Sequence, residues 1–400
     1  MKFREATSEE QVVIRKIARY AFSGHRNKYE DPNNPEPFDF PYSAKDYIVE
    51  DFNTIIAVVG VIDFSQHLRG SWIKMAGMTR VVCRPEYRRQ GYITKLFQFV
   101  FKKIYDQNFL VSALYPFTFS FYEKLGYGQA DSLHVLTIKS SDIIQKPVSN
   151  RVVVEDFDPN YKRCQPLYKR LSQQIDGLVK RPASVWKNLD SWDWKKHGFQ
   201  FICQDSQGRD SGYLLLRFEQ RNQDNPFPFL GVREVVYFDS ETKQAFLNFL
   251  ANHDSQREYI KLVPFESNFL PYLKSPRMKE NLLIANSMFR IINVEQLLPR
   301  LKYQEDVNEQ ITIDLEDPSN QCPWNNGAFT LEVADGKGNI ITKPSPNNLR
   351  MGIKSFSQVL IGFHSPEELA EAGQIQGSTQ SINILGRIFP KQTTALRDFF

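Results

Sequence analysis

Cysteine is scarce in this 400-residue chain: Cys83, Cys164, Cys203 and Cys322 lie far apart and form no C-x-x-C pair. That spacing argues against a disulfide framework or a thiolate zinc site and fits buried thiols in a reducing cytoplasm. The six histidines are scattered too, with no H-x-x-x-H pairing, so no metal is expected. Long apolar runs are missing. The longest, Ile55 to Ile62, is of strand length and far short of the ~18 residues a bilayer span needs, and the opening MKFREATSEEQ lacks the apolar centre of a signal peptide. A cytoplasmic location without a membrane partner is the expectation. Net charge is small: 50 basic and 46 acidic residues give +4, with no basic arm and no aromatic RNA-binding signature, so nucleic acid is not expected as a partner.

What is present is the composition of a globular protein, 41% hydrophobic and 24% charged, at a length that suggests two or three domains. The most informative stretch runs from Met78 to Phe101. Met78 to Cys83 reads as a strand that Pro85 ends, because proline has no N–H for a ladder. After Gly91, apolar residues recur at Ile93, Leu96, Phe97, Val100 and Ile104, the spacing of a buried helix face. Between them stands Arg88-Arg89-Gln90-Gly91. Free N–H groups and the positive helix dipole make such a turn a place for anions, and arginines add bidentate phosphate contacts. The same pattern also suits a solvated helix start carrying surface arginines.

A strand (Phe109 to Leu114), Pro116-Phe117 and a short helix ending in Phe121-Tyr122-Glu123-Lys124-Leu125-Gly126-Tyr127-Gly128 follow. Upstream, Ser8 and Gln11 read as a capping box for a helix that places Val13, Ile14, Ile17, Ala18 and Ala21 on one face. Residues 23–42, rich in proline and polar groups, read as a long loop, either a surface connection or a lid. Ile55–Phe64 and Ser71–Cys83 are strands, and Val135 to Ile138 reads as the last strand of this block.

Strand, basic loop, helix, strand and FYEKLGYG together resemble the GNAT acetyltransferase superfamily, although Ile93 stands where its loop favours glycine or alanine. A second block repeats the plan, with the Phe199–Cys203 and Gly212–Leu216 hairpin, the strand Val232–Phe238 and a helix over Lys243–Leu250. Its Phe238-Asp-Ser-Glu-Thr-Lys puts carboxylates where phosphates would be repelled. A third block has strands Ile311–Leu315 and Ala328–Val333 and a helix that Ser365 caps and Gly373 stops. Its Trp324-Asn325-Asn326-Gly327 segment resembles the sterol-carrier-protein fold.

In this order the three blocks resemble the enhanced intracellular survival (Eis) family of N-acetyltransferases. The resemblance implies an α+β chain of tandem GNAT folds, the first active and the second degenerate, followed by a sterol-carrier-like domain. The expected boundaries are 1–148, 149–285 and 286–400. It implies acetyl-CoA held by Val81, Val82 and Cys83, by the loop Arg88, Arg89, Gln90, Gly91, Tyr92, Ile93 and Thr94, and by Phe117 and Thr118. It further implies Tyr122 as general acid, the α-carboxylate of Phe400 as general base, a hexamer, and a primary-amine acceptor such as an aminoglycoside. Read from the residues alone, Tyr122 also suits a core tyrosine, and Leu396-Arg-Asp-Phe-Phe400 an end that merely packs. A peptide or protein lysine acceptor stays open, as does a lipid or small-molecule binding protein.

Overall fold

A computed structural model describes residues 1–26, 43–155, 158, 160–188, 198–219, 229–265, 269–317 and 321–400. The expected lid falls, from residue 27 onward, outside the described residues.

Two compact units emerge: one of Met1–Asp131, Ile175–Lys180 and Asn286–Phe400, the other of Ser132–Gln174 and Arg181–Ala285. The first contains β1 (Lys2–Glu5), α1 (Gln11–Arg26), β2 (Ala44–Asp51), β3 (Thr54–Leu68), β4 (Ser71–Cys83), α2 (Tyr92–Asp106), β5 (Val111–Leu114), α3 (Phe119–Glu123) and β6 (Gly128–Gln129). β3 is apolar on both faces, and Ile55 to Ile62 are all buried, as a central strand requires. The turns flanking it place paired residues at positive φ, Phe52 (44°) with Asn53 (60°) and Arg69 (46°) with Gly70 (72°), the twist that tight hairpins favour.

The strand expected to finish this sheet does not belong to it. Residues 132–139 form β7 in the other unit, and the place beside β5 is taken by β14 (Met288–Ile291), antiparallel to both β5 and β6. Both segments are short and apolar, so the pattern marks each as a strand without saying which partner it takes. A second correction concerns α1: it begins at Gln11, the Ser8–Gln11 capping box does not form, and Gln11 Nε2 instead donates to Asp46 at 3.0 Å. Val13 faces out, while Ile14, Ile17 and Ala18 are buried.

A five-stranded sheet completes the first unit: Glu309–Glu316, Gly327–Ala334, Lys337–Ile341, Asn348–Gly352 and Ile375–Gly377. Its Ile311 and Ile313 share one core with Phe64, Met75 and Val111 of the N-terminal sheet and with Phe356, Phe389 and Phe400. That continuous apolar volume is why the two ends of the sequence form one body. The helix at Pro366–Glu371 carries the expected Ser365 cap, as a full capping box with Glu368.

The second unit is a seven-stranded sheet of β7, β8 (Arg151–Glu155), β9 (Gly198–Gln204), β10 (Asp210–Phe218), β11 (Phe229–Tyr237), β12 (Tyr259–Leu262) and β13 (Glu280–Ala285). The expected hairpin pairs Gly212 with Cys203, and β11 runs parallel to β12. The helix Ser240–Ala251 follows β11 and precedes β12, as α2 follows β4 and precedes β5.

Candidate active site

The geometry starts in β4. Its ladder with β3 slips between Val58 and Gly60, so Arg80 and Val81 bulge where the partner strand offers one residue. Arg80 takes φ 49° there, and its guanidinium sits 3.0 Å from the fully buried Asp46 carboxylate. On the other side β4 pairs with β5 only from Met75–Val111 to Gly77–Ala113. Beyond that point the two strands separate, and the backbone of Met78–Cys83 borders the opening. Val81 and Cys83 are half-buried there and Val82 is buried. Burial pushes the Cys83 thiol above its ordinary pKa, which does not suit a thiolate nucleophile.

The basic loop follows. Arg88, Arg89, Gln90, Gly91 and Thr94 are exposed, and Tyr92 and Ile93 half-buried. Arg89 (φ 61°) and Gly91 (φ 78°) are left-handed, and a Cβ built on Gly91 would meet nothing within 4 Å. Gly91 caps α2 without a side chain, and the first helical bond runs from Lys95 N to Gly91 O. The amides of Tyr92, Ile93 and Thr94 thus lie in the turn where helices leave N–H groups open, beside two arginines. Arg88 Nε donates to the Cys83 carbonyl (3.2 Å), tying the loop to the end of β4. This arrangement fits a pyrophosphate. The matching helix of the second unit differs: Asp239 caps it, accepting from Thr242 N at 2.7 Å, and Lys243 is buried against Tyr272 and Phe269.

Past β5, Phe117 and Thr118 are exposed and lead into α3, where Tyr122 is buried to 2%. Its ring lies 5.4 Å from Phe117, 5.1 Å from Phe121 and 6.1 Å from both Phe97 and Tyr127. Burial raises its phenol pKa, so the hydroxyl keeps its proton. The two tyrosines of this motif divide cleanly. The Tyr127 hydroxyl is 2.7 Å from Ser112 Oγ, which donates to the Ala76 carbonyl, whereas the Tyr122 hydroxyl has no hydrogen-bond partner among the described residues.

Phe400 docks where β4 and β5 part. Its ring stands 4.9 Å from Phe64 and 5.4 Å from Tyr115, and it covers Gly77: a Cβ there would lie 2.9 Å from the Phe400 ring. Phe399 lies tilted against Tyr115, ring centroids 4.8 Å apart. The expected residues thus fall in three places: the β4–loop–α2 face, the aromatic cluster of Tyr122 and the separate aromatic cluster of Phe400. Gly77, Phe64 and Tyr115 were not anticipated. A glycine inside a strand marks close approach, and Gly77 carried that signal.

Residues 2–130 match the model of an acetyltransferase (GNAT) domain, residues 177–291 a further acetyltransferase (GNAT) domain, and residues 294–397 a sterol carrier protein domain. N-acetyltransferase Eis of Mycobacterium tuberculosis is 23% identical over 342 residues, covering 78% of this chain and 76% of that protein. The chain is an Eis-like GNAT acetyltransferase. Its fold agrees with solved structures of the same build. A GCN5-related N-acetyltransferase from Anabaena variabilis superposes with a TM-score of 0.83 at 22% identity, and an Eis protein from Mycobacterium abscessus with 0.79 at 18%. Each comparison covers all of both chains. In this Eis-like acetyltransferase the loop after β4 and the splay beyond Gly77 fall inside the first matched domain, and β14 begins at the end of the second. No helix among the described residues is long and apolar enough to cross a membrane.

Proposed function

We propose that the enzyme transfers the acetyl group of acetyl-CoA to a primary amine of a small cationic acceptor, aminoglycosides being the first class to try. The observation that carries this reading is the opening between β4 and β5, with the uncapped start of α2 and exposed Arg88 and Arg89 beside it. Val81 to Cys83 would hold the pantetheine arm through backbone amides, Arg88 to Thr94 the pyrophosphate, and Phe117 and Thr118 the far wall. An amide N–H near the bulge polarises the thioester carbonyl.

The neutral amine attacks that carbonyl, forming the C–N bond as the C–S bond breaks. The amine proton goes to the α-carboxylate of Phe400, directly or through one water, and the CoA thiolate takes a proton from the Tyr122 hydroxyl. The docked Phe400 ring and the protonated Tyr122 hydroxyl, unpartnered among the described residues, support these roles. The second unit acts as a degenerate copy without coenzyme, because Asp239 occupies the turn that phosphate would need. A hexameric assembly in the cytoplasm completes the reading.

The test is acetyl-CoA consumption over a panel of aminoglycosides, polyamines and lysine peptides. Turnover confined to the small amines supports the proposal. Turnover of peptides alone moves the acceptor to protein lysine, and no turnover with any amine overturns it.

A further inference from the structure

The acid is carried by a weak element. α3 has five residues, too few for a helix to hold its own geometry, and the contacts around the Tyr122 side chain are aromatic rings. Its backbone is fixed differently. The Tyr122 carbonyl accepts from Leu125 N (2.9 Å) and Tyr127 N (3.1 Å), and the Leu125 carbonyl in turn accepts from Arg290 Nη1. Arg290 comes from β14, opposite Ser112 of β5, and is fully buried. Its Nη2 donates to Asp317 Oδ2, a carboxylate equally buried in the C-terminal block, which also takes Cys322 N at 3.0 Å. The guanidinium lies 4.6 Å over the Phe101 ring. Gly126 makes the approach feasible: at φ 82° it has no side chain, and a Cβ would come within 2.9 Å of Arg290 Cζ.

A buried ion pair is a poor route to stability, since apolar residues of similar volume serve as well or better. Here Arg290 Nε even remains without a hydrogen-bond partner. What the pair supplies is a fixed point. We infer that Arg290, backed by Asp317, is a positioning residue that sets Tyr122 at the leaving sulfur, so that the C-terminal block governs the acid of the N-terminal domain. The inference rests on the reading of Tyr122 as general acid. Proton transfer needs hydrogen-bond reach, and a displacement near 1 Å costs roughly 10²-fold.

The test replaces the pair as a unit, Arg290→Met with Asp317→Leu, which removes the tether without leaving a buried charge. The expected result is a folded enzyme whose kcat falls by about tenfold or more, with the KM for acetyl-CoA held within about twofold. In a Tyr122→Phe background the same pair should change kcat by less than about twofold, because the tether acts only through the hydroxyl. Full kcat in the folded double variant overturns the inference, and so does an equal loss in the Tyr122→Phe background. Should the double variant not fold, Arg290→Lys keeps the charge and gives up the forked reach, and the same ratios are read. If Tyr122→Phe alone keeps full kcat, the acid itself has been misassigned and the tether falls with it. If Tyr122→Phe is crippled and the Arg290 variants are not, the tether alone is wrong.

Discussion

Gly77→Ala is a one-methyl probe of the chain end. The new Cβ would lie 2.7 and 2.8 Å from the Phe64 ring and 2.9 Å from the Phe400 ring. Carbon atoms settle at about 3.5–4.0 Å, so something must move by roughly 1 Å. Phe64 is held inside β3, opposite Met75 of β4. Phe400 belongs to a segment outside any strand or helix and is the group that yields. Overpacking of this kind costs about 1–3 kcal/mol, a few degrees in Tm for a unit of this size. The catalytic loss is expected to be larger, roughly 10²-fold in kcat, because the carboxylate travels with its ring. The KM for acetyl-CoA should hardly change, since the loop after β4 is untouched. The assay is CoA release at saturating acceptor, with Tm measured alongside, and adding Phe64→Leu should return part of the activity by giving the methyl room. A folded Gly77→Ala enzyme with kcat within about twofold of the parent would refute the argument that the seat of Phe400 matters to turnover.

Four further outcomes are expected. Tyr122→Phe should lower kcat by about 10²–10⁴-fold with Tm unchanged, as its hydroxyl bonds nothing in the described fold. Because burial raises that phenol's pKa, the proton persists to higher pH than in a free tyrosine, and kcat of the parent should not decline through Tyr122 below about pH 10; an alkaline fall that vanishes in Tyr122→Phe would contradict this. Arg89→Ala, and more so with Arg88→Ala, should weaken acetyl-CoA binding by about tenfold or more through lost charge-assisted bonds, with unchanged affinity by calorimetry removing the loop from the coenzyme site. A titration should reach one acetyl-CoA per chain, and two would mean that Asp239 does not keep phosphate out of the second unit.

Much of this was legible in the residues because it is local. The apolar spacing from Ile93 to Ile104, the glycine at 91 and the proline at 85 each act within a few positions, and α2 forms as they dictate with Leu96, Phe97, Val100, Phe101 and Ile104 buried. The Ser365 cap was equally readable. Partner choice was not. Val135–Ile138 and Met288–Ile291 carry the same short apolar signal, and only the closure of a shared core by Phe356, Phe389 and Phe400 decides which strand lies beside β5. Arg290 was invisible as a core residue for the same reason: a charge in a strand reads as solvent-facing until its partner Asp317, far along the chain, is brought to it. The capping box at Ser8 failed because Gln11 found a better acceptor in the buried Asp46 of β2.

The place of β14 bears on how the protein is made. Val111 pairs with Ile291, so when β5 leaves the ribosome its neighbour has not been translated. At about 5–20 residues per second, the nascent chain waits on the order of 10 s with that edge of backbone N–H and C=O groups open to any passing strand. A message broken within the second unit would therefore yield no smaller acetyltransferase but a sheet with an adhesive rim, so faithful synthesis past residue 291 is a condition of solubility before it is one of catalysis.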